Sequence, residues 1–204
     1  MTYRISTIAL QADDEHVHTG SELAMQKSDL IPKTPGEHMD IGLLLLRLAV
    51  GLTMAAHGAQ MLSGWFGGQG LAKTGQLFEA LGFRPGRSYA LLAALAEIGG
   101  GVLLASGLAT PLSAAIIFAV MIVAAFSAHL KQGFFITSGG FEYTLVLSVA
   151  ALALAFTGPG SLSLDAILGH SWSGVLWGLG AILAGILASI VPLARRRQAS
   201  ANFK

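Results

Sequence analysis

The sequence predicts an all-α, polytopic membrane protein with a four-helix transmembrane bundle and one extra C-terminal transmembrane helix. Of its 204 residues, 53% are hydrophobic and only 11% are charged, whereas a soluble domain carries about 25% charged residues. The mean hydropathy is +0.66. In addition, five separate apolar stretches approach the length that a helix needs to cross a bilayer, roughly 17–25 residues. Together these observations argue against an ordinary soluble domain.

The N-terminal segment, residues 1–40, is predicted to be an acidic, disordered tail. It contains three Lys or Arg residues against seven Asp or Glu residues, and a polar, charged composition of this kind does not support a packed core. It lacks the apolar segment and cleavage site of a signal peptide. His16 and His18 lie beside acidic residues, but nothing preorganises them as ligands, so no metal site is predicted.

The apolar stretches give the order of elements along the chain. The predicted spans are 41–61, 89–108, 112–130, 141–156 (slightly short) and 172–193. The first four belong to a membrane domain over residues 41–168, followed by the additional helix in 169–194 and a basic tail in 195–204. Pro111 suits the first turn of the third span, and the Gly-Pro-Gly sequence at 158–160 ends the fourth.

Two other segments have a helical pattern of their own. In the connection 62–88, apolar residues at 71, 77, 78 and 81 predict a short amphipathic helix on the membrane surface. In the last span, small residues recur at the spacing that lets helices approach closely. They are Gly174, Gly178, Ala181, Gly185 and Ser189. This face is predicted to pack against the core or against a second copy, which leaves a homo-oligomer open.

Basic residues occur only in alternate connections between the spans. They are Lys73, Arg84, Arg87, Lys131 and Arg195 to Arg197. Because positive residues in short loops stay on the cytoplasmic side, five spans predict an N-terminus outside and a C-terminus in the cytoplasm.

Glu97 lies in the middle of the second predicted span. A carboxylate at that depth costs roughly 2.5–3.5 kcal/mol on insertion scales, so a partner must compensate it. Arg47 and His57 of the first span are the nearest candidates. The predicted topology brings His57 and Glu97 to the same inner half of the bundle, while Arg47 lies deeper, within reach of a long side chain. We therefore expect Glu97 and His57 to form a proton relay.

Three further residues are predicted to bind substrate: Arg47, His129 and Glu142. Less specific roles stay open for each site residue. Glu97 could be a structural clamp with Arg47 or His57, and Arg47 fits an ion pair with Glu97 better than an anion site. His57 and His129 could ligate haem, and Glu142 could complement a helix N-terminus. With no cysteine, thiol catalysis and iron–sulfur ligation by this chain are excluded.

Several motifs occur together in a characteristic order. They are LLLLRLAVGLTMAAHGAQML (43–62), WFGGQGL (65–71), LAALAEIGGGVLLASGLATPL (92–112), GGFEYTLVL (139–147) and GPGSLSLDAIL (158–168). Over about residues 41–168 the chain resembles the DoxX family of small bacterial membrane proteins. The family often has a lysine after its His-Gly pair. Here Met61 stands in that place, so no role of such a lysine transfers.

The resemblance implies a four-helix core in the bacterial inner membrane and a membrane subunit of a quinone-linked redox system. It also implies quinone as the cofactor and a soluble or membrane redox protein as the partner, and it leaves open whether this chain is itself an enzyme. Two alternatives remain: a non-catalytic anchor or assembly factor for a soluble redox enzyme, and a small-solute or proton-coupled transporter. Partners other than lipid and protein, such as nucleic acid, are not expected.

Overall fold

The computed structural model describes residues 35–196, and every regular element in that range is a helix. The predicted all-α class is confirmed. Most of the predicted acidic tail, including His16 and His18, lies outside the described residues, as do residues 197–204. The first helix begins at Pro35, before the predicted end of the tail at residue 40. Hydropathy marks where a helix enters an apolar layer and not where its backbone begins.

The helices follow the predicted order. They are α1 (Pro35–Ser63), α2 (Gly70–Ala80), α3 (Gly86–Ser106), α4 (Thr110–Ala124), α5 (Glu142–Thr157), α6 (Leu164–Ile167) and α7 (Val175–Arg195). A π-helix, Ala125–His129, and a 3-10 turn, Leu130–Gln132, continue α4. Four helices are long and apolar enough to cross a membrane, and α5 is a shorter apolar helix. The predicted short helix in the connection 62–88 is confirmed as α2.

Glycines bring α1 and α3 into backbone contact. A methyl group added to Gly51 would lie 2.5 Å from the carbonyl oxygen of Gly101, and one added to Gly58 would lie 2.6 Å from that of Ala94. No larger side chain fits at these positions, which is how helices without a hydrophobic driving force pack in lipid. The same contact presses Glu97 against α1, because a methyl group on Gly58 would lie 3.0 Å from the Glu97 Cβ.

Helix α7 packs against α4 and α5 through its row of small residues. Gly178, Ala181, Gly185 and Ser189 are buried, with Gly178 against the ring of Phe156. The predicted packing face is therefore directed to the core. Gly174, the first residue of the predicted row, is exposed and precedes the helix, and its backbone N–H donates to the carbonyl of Phe156 at 2.7 Å.

The helices alternate in direction, so the bundle has two chemically different ends. One end, here called the acidic end, carries Asp40, which accepts hydrogen bonds from the backbone N–H (2.9 Å) and hydroxyl (2.5 Å) of Ser161. At the opposite, basic end, the connections carry Lys73, Arg84, Arg87, Lys131, Arg195 and Arg196. The alternation thus collects the basic connections at one end, as expected from the sequence. Their cytoplasmic orientation stays a prediction.

Candidate functional site

A cavity of about 530 Å³ lies towards the basic end of the bundle. Its walls come from α1, α2, α3, α4 with its π-helical extension, and α7. Most of the wall is apolar, and the polar lining residues are His57, Gln60, Gln69, Thr74, Tyr89, Glu97, Ser127 and His129. The structure therefore brings three of the predicted site residues, Glu97, His57 and His129, to one cavity.

Glu97 is the buried carboxylate of this cavity. Its side chain is 4% exposed, and Oε2 has no hydrogen-bond partner among residues 35–196. Tyr143 of α5 lies close enough to interact electrostatically with Glu97. Among residues 35–196, Glu97 forms no ion pair. A buried polar atom without a partner is costly. A polar group bound in the cavity would supply the missing contact.

His57 faces the cavity from α1 and is exposed within it. The expected direct contact with Glu97 does not form: in the described part of the chain, neither a hydrogen bond nor an ion pair joins the two side chains. Gln60, one turn further along the helix, lines the same cavity, and its Nε2 donates to the Phe66 carbonyl at 3.1 Å. The three-residue spacing from His57 could have revealed it from the sequence.

His129 enters the cavity from the π-helix that ends the third span. Its Nδ1 lies 2.7 Å from the carbonyl oxygen of Gly139. Because a carbonyl only accepts, Nδ1 must carry the hydrogen, which leaves Nε2 to bond a ligand. π-Helical turns of this kind recur at functional sites. In the part of the chain that the structure describes, no cluster of three or more acidic or histidine side chains is arranged to hold a metal ion.

The expected ion pair between Arg47 and Glu97 is wrong. Arg47 is fully buried, but its Nη2 donates to the carbonyl of Leu162 near the acidic end, and the carboxylate that acts on its charge is Asp165. Arg47 precedes His57 by ten residues, or about 15 Å of helix. Its side chain turns away from the cavity, and a role for it in binding substrate there is not supported.

Asp165 caps the start of a helix that is distant in sequence. Its carboxylate accepts from the backbone N–H groups of Ala109 (2.9 Å) and Thr110 (3.0 Å) and from the Thr110 hydroxyl (2.9 Å). These are the first N–H groups of α4, which have no partner within the helix. Asp165 therefore joins α6 to the start of α4 and balances Arg47.

Glu142 does not line the cavity. It stands in the first turn of α5, and its Oε2 accepts from the Ile136 N–H at 3.0 Å. This corrects its expected role in substrate binding and favours the alternative at the helix start. The contact holds the 133–141 loop, which carries Gly139, the partner of His129.

From the sequence, Arg196 is predicted only to be one of the basic residues that set the orientation in the membrane. Its Nε donates to the carbonyl of Leu81 at 2.6 Å, and its two terminal nitrogens donate to those of Phe126 and Ser127, each at 3.0 Å. The guanidinium thus ties the end of α7 to the rim of the cavity. The π-helix leaves free two carbonyls that would accept backbone hydrogen bonds within a regular helix. No residue pattern in the sequence predicts this irregularity.

Replacing Arg196 with Met is expected to lower the free energy of unfolding by about 1.5–3 kcal/mol, the range for hydrogen bonds to a charged group. Arg195→Met is the matched control, because Arg195 is the exposed neighbour on the same helix and its loss should change stability by less than about 0.5 kcal/mol. Thermal unfolding of both variants in the same detergent measures the difference. Equal melting temperatures would show that the three bonds do not stabilise the fold.

The chain is similar to a known family of membrane proteins. Residues 42–130 match the family model DoxX, a segment that contains His57, Glu97 and His129. The chain is 32% identical over 133 residues to "Inner membrane protein YqjF" of Escherichia coli strain K12, covering 65% of this chain and 96% of that protein. It is 32% identical over 126 residues to "Putative oxidoreductase CatD" of Bacillus subtilis strain 168, covering 62% and 86%. No solved structure matches the chain.

Proposed function

Because the chain belongs to the DoxX family of membrane proteins, we propose that it is a membrane subunit of a quinone-linked redox system in the bacterial inner membrane. The observation that carries the proposal is the buried, unpartnered Oε2 of Glu97, in an apolar cavity shared with His57 and His129. The relative YqjF is described as an inner membrane protein, and CatD as a putative oxidoreductase. Both descriptions agree with this function.

The cavity suits a quinone headgroup in size and chemistry. Its volume of about 530 Å³ falls within the range of roughly 300–1,000 Å³ for ligand sites. A quinone offers two carbonyl acceptors on a flat, apolar ring. His57 can donate to a quinone carbonyl, whereas Nε2 of His129 can accept from a quinol hydroxyl. Aromatic side chains at Phe78, Phe83 and Tyr89 line the wall.

The proposed reaction balances with one partner. Reduction of a quinone to a quinol takes two electrons and two protons. A reduced redox enzyme, soluble or membrane-bound, would supply both electrons, since the chain has no cysteine and carries no thiol or iron–sulfur centre of its own. Glu97 and His57 would pass the protons between the carbonyl oxygens and the basic end, as positioned general acids and bases. With the basic end in the cytoplasm, those protons would come from the cytoplasm.

The quinone content of the purified protein tests this function. Ala96 lines the cavity beside Glu97, whereas Leu95 is 53% exposed and lies outside it. We expect quinone to be extracted from the wild-type protein and from Leu95→Phe, and at least tenfold less from Ala96→Phe, because the added ring fills the cavity. Equal quinone in both variants, or none in the wild-type protein, would refute the proposal. Circular dichroism confirms that both variants are folded.

A further inference from the structure

We infer that the quinone reaches this cavity from within the bilayer, tail last, through a lateral opening between α3 and α7. The inference rests on the proposed function and adds the route and the class of ligand: a neutral headgroup on a single long apolar chain. It also gives the C-terminal helix, which lies outside the family match, a part in forming the site.

The opening is formed by small and apolar side chains. The α3 side consists of Leu92, Ala93 and Ala96, and the α7 side of Ala188 and Pro192. Leu92 is 62% exposed, and Ala188 is exposed as well. Residues that both line the cavity and lie on the outer surface of the bundle show that the cavity reaches that surface between these two helices. Side chains of α4 form the floor of the opening.

The opening lies below the level of the headgroups. Leu92 is six residues from the start of α3 and Ala188 is seven residues from the end of α7, or about 9–10 Å of helix from the basic end. The polar headgroup layer occupies roughly 5–8 Å on each side of the hydrocarbon core. The two helices therefore border the opening where acyl chains, and not water, surround the bundle.

Much of the basic end of the cavity is covered, although Leu77 of α2 both lines the cavity and is 56% exposed. Helix α2 lies over it, with Thr74 buried and its hydroxyl donating to the Gly70 carbonyl at 2.9 Å. Phe83 is 1% exposed and packs at 5.6 Å from the ring of Phe78. Arg196 closes the rim through its bond to Leu81. Entry from the bilayer therefore requires less rearrangement than entry from the aqueous side.

The polarity of the cavity identifies the occupant. Glu97 lies eleven residues into α3, or about 16 Å from the basic end, and the opening towards lipid is apolar. A phospholipid that reached Glu97 would have to carry a charged headgroup to that depth, which is costly. A quinone headgroup is neutral and can be drawn in, while its isoprenoid tail remains between α3 and α7.

Single cysteines test the route, because the natural chain contains none. Ala188→Cys lines the opening, and Leu187→Cys is its control on the same helix, 55% exposed and outside the cavity. The probe is a lipid-soluble maleimide, applied in vesicles with and without a long-tailed ubiquinone at about ten times its dissociation constant. We expect ubiquinone to slow labelling of Ala188→Cys about tenfold by mass action, and to leave Leu187→Cys unchanged. Equal effects at the two positions would overturn the inference.

A second pair of variants separates failure of the route from failure of the function. We expect Ala188→Trp to abolish binding of the long-tailed ubiquinone and to keep binding of a tail-less, water-soluble benzoquinone, while Leu187→Trp binds both. If Ala188→Trp binds both as well, the lateral route is wrong and the site stands. If the wild-type protein binds neither, the proposed function fails. If labelling of Ala188→Cys responds to the phospholipid composition of the vesicles and not to ubiquinone, the occupant is a phospholipid and the inference is overturned.

Discussion

Asp165→Asn is expected to lower the free energy of unfolding by about 3–5 kcal/mol. The variant weakens the three hydrogen bonds that the carboxylate accepts from Ala109 and Thr110, and it removes the buried negative charge that offsets Arg47. Arg47 and Asp165 are both 0% exposed. Among residues 35–196, two nitrogens of Arg47, Nε and Nη1, have no hydrogen-bond partner, and the buried carboxylate that offsets its charge, Asp165, lies beyond ion-pair distance. Without that carboxylate, an uncompensated cation would remain inside the bundle.

Two controls accompany this variant. Asp40→Asn changes a carboxylate at the same end of the bundle that binds the exposed Ser161, and should cost only about 1 kcal/mol. The double variant Arg47→Met with Asp165→Asn removes both charges and should recover part of the loss, because no unbalanced cation remains buried, whereas the weakened bonds to Ala109 and Thr110 are not restored. Thermal unfolding in detergent measures all three. An Asp165→Asn protein as stable as Asp40→Asn would contradict the assignment.

Glu97→Gln is expected to lower quinone-dependent turnover by about 100-fold, the lower range for loss of a general acid or base. Glutamine keeps the size of the side chain and its place against α1, but it cannot carry a proton. Turnover is measured in membranes that contain the native redox partner and is normalised to the amount of this protein, so that activity and abundance are separated.

Glu142→Gln is the matched control for that variant, because the same change is made outside the cavity. Its amide oxygen can still accept from the Ile136 N–H and hold the loop, so its turnover should equal that of the wild-type protein. If Glu97→Gln instead lowers abundance and leaves turnover per molecule unchanged, Glu97 serves assembly. The chain would then fit the alternative function, a non-catalytic anchor for a redox enzyme. Loss of turnover in both variants would reopen a role for Glu142.

The order of helices, the collection of basic connections at one end and the packing face of α7 could all be predicted from the sequence. A helix that crosses lipid must form all of its backbone hydrogen bonds internally and present apolar side chains over its full length. Its position can therefore be recognised from the residues of that segment alone. The row from Gly178 to Ser189 is local too, since its spacing alone defines one face of one helix. Glu97 could be selected for a similar reason, because a carboxylate at that depth stands out without any knowledge of its neighbours.

The partners of those residues could not be predicted in the same way. Arg47 and Glu97 are a basic and an acidic residue that the sequence places within side-chain reach of each other in the bilayer. The rotation of α1 about its axis, however, turns Arg47 towards Leu162 and Asp165. Rotation depends on the glycine contacts with α3, which sequence patterns do not resolve. The cavity itself exists because α2 and α7 close around it. The bonds of Arg196 to π-helical carbonyls likewise depend on a backbone irregularity without a residue signature.

The most direct test of the account is an infrared difference spectrum between the quinone-free and quinone-bound protein, recorded for the wild type and for Glu97→Gln. We expect a carboxyl band that changes when quinone binds to the wild-type protein and that is missing from the spectrum of Glu97→Gln, because a protonated Glu97 would donate from the unpartnered Oε2 to a quinone carbonyl. Identical difference spectra of the two proteins, with quinone bound to both, would contradict it.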